Sequence, residues 1–208
     1  MKRGYTPRDL DSIEFEVFDF TDDWFEAFDK PEISGVWFIW GNSGNGKTSF
    51  YLKLTKYLTT FNRKVVINSL EEGRSKTMQG AFRKAGMNEV SGKVLLVQES
   101  MEDLEERLDK ERSAKIVVID SWQYTNWTYK KYEAFKKRYP NKLIIIVSQA
   151  DGKAPSGRPA KAIKYDADLK IWVEGHRAIS MGRYIGKKGY YTNWIEGAAK
   201  YWGQEAID

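Results

Sequence analysis

Five short, almost wholly apolar runs alternate with segments of helical periodicity between residues 35 and 148. The runs are GVWFIW, KVVINSL, VLLVQES, KIVVID and KLIIIVSQ. Strands buried on both faces carry such continuous apolar runs, because helices cover both faces of a parallel sheet. The alternation therefore predicts an α/β fold in which a mostly parallel, twisted sheet is flanked by helices.

The pattern changes after Gln149. Residues 151–164 (DGKAPSGRPAKAIK) combine glycine, proline and lysine without a periodic apolar face, which predicts a loop of about a dozen residues. The segments DLKIWVEG, RAISMGRYI and YYTNWI then predict three strands joined by short turns. We expect these strands to form an antiparallel edge of the sheet.

The first 32 residues are acidic and differ in character from the rest. EFEVFDF alternates apolar with acidic residues and predicts an edge strand, whereas DDWFEAFD predicts a short helix that ends before Pro31. We therefore divide the chain into an acidic N-terminal segment, residues 1–32, and a core with C-terminal edge strands and a tail, residues 33–208.

Composition excludes several kinds of chemistry. The 208 residues include no cysteine, which excludes disulfides, a thiolate nucleophile and any cysteine-containing zinc site. No run of about 18 apolar residues occurs and no signal-peptide pattern is present, so we expect a cytoplasmic protein without a membrane partner. The net charge of +5 permits a polyanionic partner. The basic segment from Lys153 to Lys200 is either an anion-facing surface or a solvated charged face.

The apolar run at residue 35 leads directly into GNSGNGKTSF, which contains the phosphate-binding pattern G-x-x-x-x-G-K-[ST]. Glycines let the backbone amides of such a loop turn inward, and these amides attract phosphate together with the N-terminus of the next helix. Lys47 is predicted to reach the β- and γ-phosphates of a nucleotide, and the Thr48 hydroxyl to hold Mg²⁺. The predicted nucleotide-binding residues are Gly41, Asn42, Ser43, Gly44, Asn45, Gly46, Lys47, Thr48 and Ser49.

Two further apolar runs end in carboxylates. KIVVID delivers Asp120 to the C-terminal end of a buried strand, where an aspartate supports the metal of a phosphate-loop protein directly or through water. INSLEEG is predicted to place Glu71 and Glu72 at the same edge of the sheet. A carboxylate there can orient or deprotonate an attacking water, and the alternative is that both are solvent-facing loop acids.

Residues 41–49 and the motifs SLEEG, IVVIDS and IIIVSQ follow one another in an order that resembles the RecA-like ATPases, closest to their RadA, KaiC and replicative-helicase branch. The resemblance covers roughly residues 33–190. It implies ATP hydrolysis with Mg²⁺, Glu71 as the catalytic glutamate and Gln149 as the γ-phosphate sensor. It also implies a homo-oligomer, ring or filament, in which a neighbouring subunit extends a basic residue toward ATP. Arg183 is the best match for that residue, followed by Lys187 and Lys188.

The nucleic-acid loops of this family correspond to residues 122–128 (WQYTNWT) and 151–164. Trp122, Tyr124 and Trp127 would stack on unpaired bases, unless they pack against a neighbouring helix or subunit. Phosphate contacts without sequence readout would come from the basic side chains of the second segment, Lys153, Arg158, Lys161 and Lys164.

The leading hypothesis is thus an oligomeric ATPase that acts on single-stranded DNA in recombination, repair or replication. The second is an ATP-driven assembly or regulatory protein of the KaiC kind, whose partner is another protein. A nucleotide or small-molecule kinase is the third hypothesis, and the long basic segment after Gln149 fits it less well. His176, the single histidine, is interpreted as structural or exposed, without a metal role.

Overall fold

The computed structural model describes residues 4–203. Its strands are β1 (Gly35–Gly41), β2 (Val65–Ser69), β3 (Val94–Val97), β4 (Ile116–Asp120), β5 (Leu143–Asp151), β6 (Ala154–Pro155), β7 (Leu169–Glu174), β8 (Arg177–Gly182) and β9 (Tyr190–Thr192). Its helices are α1 (Pro7–Asp11), α2 (Asp22–Phe28), α3 (Lys47–Leu58), α4 (Lys76–Lys84), α5 (Met101–Leu108), α6 (Tyr129–Arg138), α7 (Arg158–Asp166) and α8 (Ile195–Trp202). Three short 3₁₀ turns complete it, at Thr59–Phe61, Met87–Val90 and Trp122–Thr125.

The main sheet has the strand order β3-β2-β4-β5-β1-β7-β8-β9, and β6 pairs separately with β5. Strands β1 to β5 and β7 run parallel, while β8 and β9 are antiparallel additions at one edge. The register sets Gly41 opposite Gln149 and Ser69 opposite Asp120. Because parallel strands end at the same edge of a sheet, these four residues meet at one edge. The predicted α/β architecture with an antiparallel C-terminal edge is confirmed. The expectation that all three C-terminal strands are antiparallel is wrong for the first of them, because β7 pairs parallel with β1.

Two apolar layers cover the sheet, one on each face. In β1, Trp37 and Ile39 point into the layer formed with α2 and α3, whereas Phe38 and Trp40 point into the layer formed with α5, α6 and α7. A strand with both faces buried needs apolar residues at every position, which explains the uninterrupted run GVWFIW. Burial of this strand on both sides holds the loop that follows it in a fixed position.

The N-terminal segment departs from expectation. EFEVFDF is not a strand, because its pairing is a single antiparallel bridge between Val17 and Glu32. Phe18 and Phe20 are buried, and their rings lie edge-on to Trp37. The segment is therefore held by aromatic packing rather than by a ladder of backbone hydrogen bonds. Helix α2 confirms the helix predicted in DDWFEAFD.

Residues 151–164 are not one long loop, as we had expected. Asp151 ends β5, residues 154–155 return as β6, and α7 begins at Arg158. Pro159 suits the first turn of a helix, where its missing N–H leaves no hydrogen bond unmade. Ala160 and Ile163 are buried one turn apart, and this short apolar stripe docks α7 on the sheet. Of the basic residues of the segment, Arg158, Lys161 and Lys164 are thus on a helix, whereas Lys153 lies in the turn between β5 and β6. The third C-terminal strand is also shorter than predicted, since β9 ends at Thr192 and α8 begins at Ile195.

Candidate functional site

The phosphate-binding motif forms a loop between β1 and α3. Gly46 occupies the N-cap of α3 with φ 94°, a left-handed conformation that favours glycine, and it brings no side chain to cap the helix. The amides of the first helical turn therefore stay available to an anion. A Cβ on Gly41 would collide with the main-chain carbonyl of Val173, so the start of the loop packs directly on β7. Close backbone packing at Gly41 and a left-handed backbone at Gly46 thus shape the two ends of this loop.

The Lys47 ammonium lies at the centre of this loop. Its Nζ donates hydrogen bonds to the carbonyl oxygens of Gly41 (2.7 Å) and Asn42 (3.1 Å). Burial lowers the pKa of Lys47, whereas the charges of Asp120 and Glu71 raise it. A half-buried cation surrounded by inward-facing backbone is the arrangement that binds the terminal phosphates of a nucleotide.

A cleft of about 940 Å³ opens over the loop. It brings together most of the residues that the sequence predicts for the site, namely Ser43, Gly44, Gly46, Lys47, Thr48, Ser49, Glu71, Asp120 and Gln149. Glu72, Lys53, Lys84, Ala150, His176, Asn193 and Trp194 also line it. The volume lies in the range of small-molecule and cofactor pockets.

Asp120 is a buried carboxylate at the end of β4. The Tyr51 hydroxyl donates a 2.8 Å hydrogen bond to its Oδ2 atom. The pKa of Asp120 is raised to about 6. Burial is the main cause and the charges of Glu71 and Glu72 add to it, whereas the hydrogen bond from Tyr51 and the charge of Lys47 oppose the shift. A nearby cation would therefore stabilise the ionised form of the Asp120 carboxylate.

Glu71 follows β2 and reaches the end of β5. The Gln149 Nε2 atom donates to Glu71 Oε1 at 3.3 Å. The backbone of the loop is anchored by the Leu70 amide, which donates to the Asp120 carbonyl at 2.6 Å. Glu72 accepts hydrogen bonds from Ser75 and Thr77 instead. Of the two glutamates, Glu71 is thus the one paired with Gln149.

Gln123 is a site residue that the sequence analysis missed. Its Oε1 atom accepts hydrogen bonds from the Ser121 hydroxyl (3.0 Å) and from the backbone N–H of Gln149 (3.1 Å). Its Nε2 atom donates to the Ser148 hydroxyl (2.8 Å) and to the Ser156 carbonyl (3.0 Å). All four hydrogen-bonding positions of the amide group are used. Gln123 joins the turn after β4, the end of β5 and the residues before α7. Nothing in the local sequence pattern signals this role.

The C-terminal edge of the sheet also holds the phosphate loop from outside. The Gly175 amide, in the turn between β7 and β8, donates to Asn45 Oδ1 at 2.7 Å. Asn193, in the link between β9 and α8, donates through Nδ2 to the Gly46 carbonyl at 3.2 Å. Lys53 donates to the Asn193 carbonyl at 2.5 Å. We call residues 175–176 and 193–194 the C-terminal bracket. It places His176 on the wall of the cleft, where sequence reasoning expected no functional role.

Arg183 lies away from this cleft. It follows Gly182, which pairs with Leu169 at the end of the sheet opposite Gly41. Its side chain is mostly exposed and forms a 3.0 Å ion pair with Asp168. The structure therefore does not bring Arg183 together with the other predicted catalytic residues, and a role toward a neighbouring subunit stays a prediction.

The aromatic residues after β4 differ from expectation. Trp122 and Trp127 are buried, and they pack edge-on against Tyr132 and Phe135 respectively. The prediction that these two tryptophans stack on bases is wrong, because the ring faces are used in the core beside α6. Tyr124 alone of the three is exposed, at 49%.

A divalent metal fits this cleft only together with a nucleotide. Within residues 4–203 no group of three or more His, Cys, Asp or Glu side chains is arranged to hold a metal ion. The Thr48 hydroxyl and the Asp120 carboxylate both line the cleft. Mg²⁺ is commonly held by one or two such oxygen ligands plus substrate phosphates. This donor set therefore suits Mg²⁺ that arrives with a nucleotide.

Neither a protein-family model nor a curated protein sequence matches the chain. Solved structures do match its fold. The flagellar accessory protein FlaH from Methanocaldococcus jannaschii superposes with a TM-score of 0.59 at 14% identity, over 86% of this chain and 92% of FlaH. The KaiC-like protein PH0186 from Pyrococcus horikoshii OT3 superposes with a TM-score of 0.56 at 16% identity, over 81% of this chain and 94% of PH0186. The chain has a RecA-like fold.

The RecA-like fold accounts for the position of the cleft. Strand β5 lies between β1, which carries the phosphate loop, and β4, which carries Asp120. Gln149 on the middle strand therefore stands between the phosphate loop and the buried carboxylate. Throughout residues 4–203, no helix of this RecA-like chain has both the length and the apolarity to cross a membrane.

Proposed function

We propose that this chain binds ATP with Mg²⁺ and hydrolyses it to ADP and phosphate. The observation that carries the proposal is the cleft in which Lys47, Asp120 and the Glu71–Gln149 pair meet. Many proteins carry a phosphate loop, but a carboxylate paired with a polar strand-end residue beside that loop is the arrangement needed to activate water. A RecA-like fold supports the same chemistry at the level of architecture.

Each residue has a stated role in this proposal. Lys47 and the first-turn amides of α3 bind the phosphates, and Thr48 with Asp120 would hold Mg²⁺. The metal, when bound, neutralises charge that develops on the phosphates. Glu71 accepts a proton from the attacking water, and Gln149 contacts the terminal phosphate while it orients Glu71.

A single substitution tests the hydrolytic role. Glu71→Gln should leave ATP binding intact and abolish turnover, because an amide cannot accept the proton of water. Glu72→Gln is the matched control and should keep its turnover, since Glu72 is bonded to Ser75 and Thr77. Phosphate release and ATP binding are measured on both variants. Turnover that persists in Glu71→Gln would rule out Glu71 as the base.

We further propose that the ATPase forms a homo-oligomer and acts on single-stranded DNA, in recombination, repair or replication. Support comes from α7, where Arg158, Lys161 and Tyr165 are exposed at intervals of three and four residues and so share one face. The Tyr165 side chain is 83% exposed. Two cations and an aromatic ring on one helical face suit phosphate contacts and base stacking.

A second candidate is a KaiC-like ATPase whose partner is a protein. The burial of Trp122 and Trp127 favours it, because two of the three rings offered for base stacking belong to the core. ATPase assays at low salt, with and without single-stranded DNA, separate the two. Stimulation by DNA supports the first candidate, and a rate that no nucleic acid changes supports the second.

A further inference from the structure

Trp194 is an exposed tryptophan on the wall of the nucleotide cleft. Its side chain is 54% exposed, and it lines the cleft together with Lys47, Ser49 and Lys53. Its indole offers a large apolar face to this cleft, on which a flat aromatic ligand can stack.

The position of this ring is fixed by its neighbours. The His176 ring lies 4.8 Å from it at 74°, an edge-to-face contact. Gly197, one turn into α8, is buried, and a Cβ there would collide with the indole and with the His176 ring. The missing side chain of Gly197 therefore leaves the space in which Trp194 lies. A half-exposed ring that is held in place loses little freedom when it binds a ligand.

The chain connects this ring directly to the phosphate loop. Asn193, its neighbour in sequence, donates to the carbonyl of Gly46, the residue before Lys47. Glu71 and Gln149 mark another part of the cleft, where the terminal phosphate is placed by the proposed chemistry. A nucleotide bound by its phosphates at Lys47 has its base at the other end of the molecule. The aromatic wall formed by Trp194 is the surface of the cleft suited to a base.

We propose that Trp194 is the platform on which the nucleobase of the bound nucleotide stacks, with His176 and Gly197 holding the indole in position. The proposal rests on the nucleotide-binding function proposed above and names a subsite of that cleft. Every base has a π-face, so stacking on Trp194 contributes similarly to the binding of adenine and guanine nucleotides.

Binding assays with two probes test the platform. The wild-type protein is titrated calorimetrically with MgATP and with magnesium tripolyphosphate, which carries the phosphates without a base. Trp194→Ala should weaken MgATP binding roughly ten- to hundredfold, as expected for the loss of one stacked base. Binding of tripolyphosphate should stay unchanged, because the phosphate loop is untouched. Trp194→Phe keeps an aromatic face and should retain most of the affinity for MgATP. Tyr5→Ala removes an exposed ring of the N-terminal segment and serves as the control.

Four results would overturn the platform. An equal loss for both probes would mean that Trp194 supports the phosphate loop, and no loss for either would place the base elsewhere. A wild-type protein that binds neither probe would disprove the nucleotide site, and the platform with it. A wild-type protein that binds tripolyphosphate as tightly as MgATP keeps the phosphate site but contradicts the platform alone.

Photolabelling gives a test that needs no variant. The azido group of 8-azido-ATP is on the adenine ring, so it reacts with residues beside the base. Trypsin cleaves after Lys188 and Lys200, which releases residues 189–200 as one peptide containing Trp194. We expect the label in this peptide and its loss in the presence of excess ATP. A competed label found only in other peptides would contradict the assignment.

Discussion

The hydroxyl of Tyr51 donates a 2.8 Å hydrogen bond to the Asp120 carboxylate inside the cleft over the phosphate loop. Tyr51 comes from α3, the helix that follows the phosphate loop, and Asp120 comes from the end of β4. Both side chains are buried, and burial keeps the pKa of Tyr51 well above its ordinary value. The tyrosine is therefore a neutral donor that fixes the carboxylate proposed to hold Mg²⁺.

Removing this donor should change the pH dependence of the proposed ATP hydrolysis. Burial raises the pKa of Asp120, and the hydrogen bond from Tyr51 partly offsets this rise, so that the pKa is about 6. In Tyr51→Phe the pKa of Asp120 should rise further, so the acidic limb of the profile of kcat/KM against pH should move to higher pH. Folding stability should fall by about 1 kcal/mol. Tyr57→Phe, on the same helix but outside the cleft, should leave the profile in place, and an unmoved profile in Tyr51→Phe would contradict the pairing.

The charge of Asp120 should lower the stability of the folded chain at neutral pH. A pKa raised from 3.8 to about 6 corresponds to roughly 3 kcal/mol at most. The folded state binds the proton more tightly than the unfolded state, so the cost of the charge is fully present above pH 6 and disappears as the pH falls toward 4. Asp120→Asn should therefore be more stable than the wild type at pH 8, with an advantage that shrinks between pH 6 and pH 4.

Urea unfolding at pH 4, 6 and 8 measures this difference. Glu106→Gln removes an exposed carboxylate from α5 and is the control, with no comparable gain expected. A constant difference between Asp120→Asn and the wild type over this range would contradict a raised pKa for Asp120.

Gln123 should act on turnover through Gln149. Gln123→Ala removes the group that holds the Gln149 amide and the Ser148 hydroxyl, so Gln149 loses its fixed position against Glu71. We expect kcat to fall roughly ten- to hundredfold, as for other small misplacements of catalytic groups, with little change in KM. Gln123→Glu keeps the two accepted hydrogen bonds and should restore part of the rate. A rise in KM at unchanged kcat would argue against this positioning role.

The face of α7 should contribute charge and stacking separately if single-stranded DNA is the partner. Arg158→Ala combined with Lys161→Ala should reduce the slope of log affinity against log salt by about 1.4, at roughly 0.7 for each phosphate contact. Tyr165→Ala should weaken binding by about 1–3 kcal/mol without changing that slope. Lys110→Ala, an exposed lysine after α5, is the control. Unchanged affinity in all these variants would remove α7 from the interface.

The parts of this molecule that could be predicted from sequence are those governed by local pattern. The central parallel strands β1, β2, β4 and β5 are buried on both faces along most of their length, so an apolar run marks both the place and the end of each strand, and the residues at those ends share one edge. That geometry predicts Glu71 and Asp120 near Lys47, and the resemblance to RecA-like ATPases adds Gln149. The structure places all four in one cleft. Local pattern does not predict α7, because only two residues of this short helix, Ala160 and Ile163, are buried. Two apolar positions are too few to show a helical period.

Other features depend on contacts that local pattern does not contain. Asn193 and Gly46 are 147 residues apart, and Asn45 and Gly175 are 130 residues apart, so the C-terminal bracket appears only when the sheet is assembled. A tryptophan suits both a buried core and an exposed stacking surface. Only the packing of α6 decides that Trp122 and Trp127 are buried. Gln123 is likewise a polar residue in a turn, which is common and does not indicate a role. Its four hydrogen-bond partners come from three segments of the chain.

The contacts of Asn45 and Asn193 mean that the conformation of the phosphate loop depends on residues far along the chain. A fragment that stopped before β8 would contain every residue of the G-x-x-x-x-G-K-[ST] motif and both carboxylates. It would lack Asn193 and the hydrogen bond that Asn193 donates to the Gly46 carbonyl. Insertions in the β7–β8 turn, far along the chain from the motif, would disturb the phosphate loop through the hydrogen bond between Gly175 and Asn45. We therefore expect a partner that displaced β8 and β9 to change the shape of the phosphate loop, although it would touch no residue of the motif.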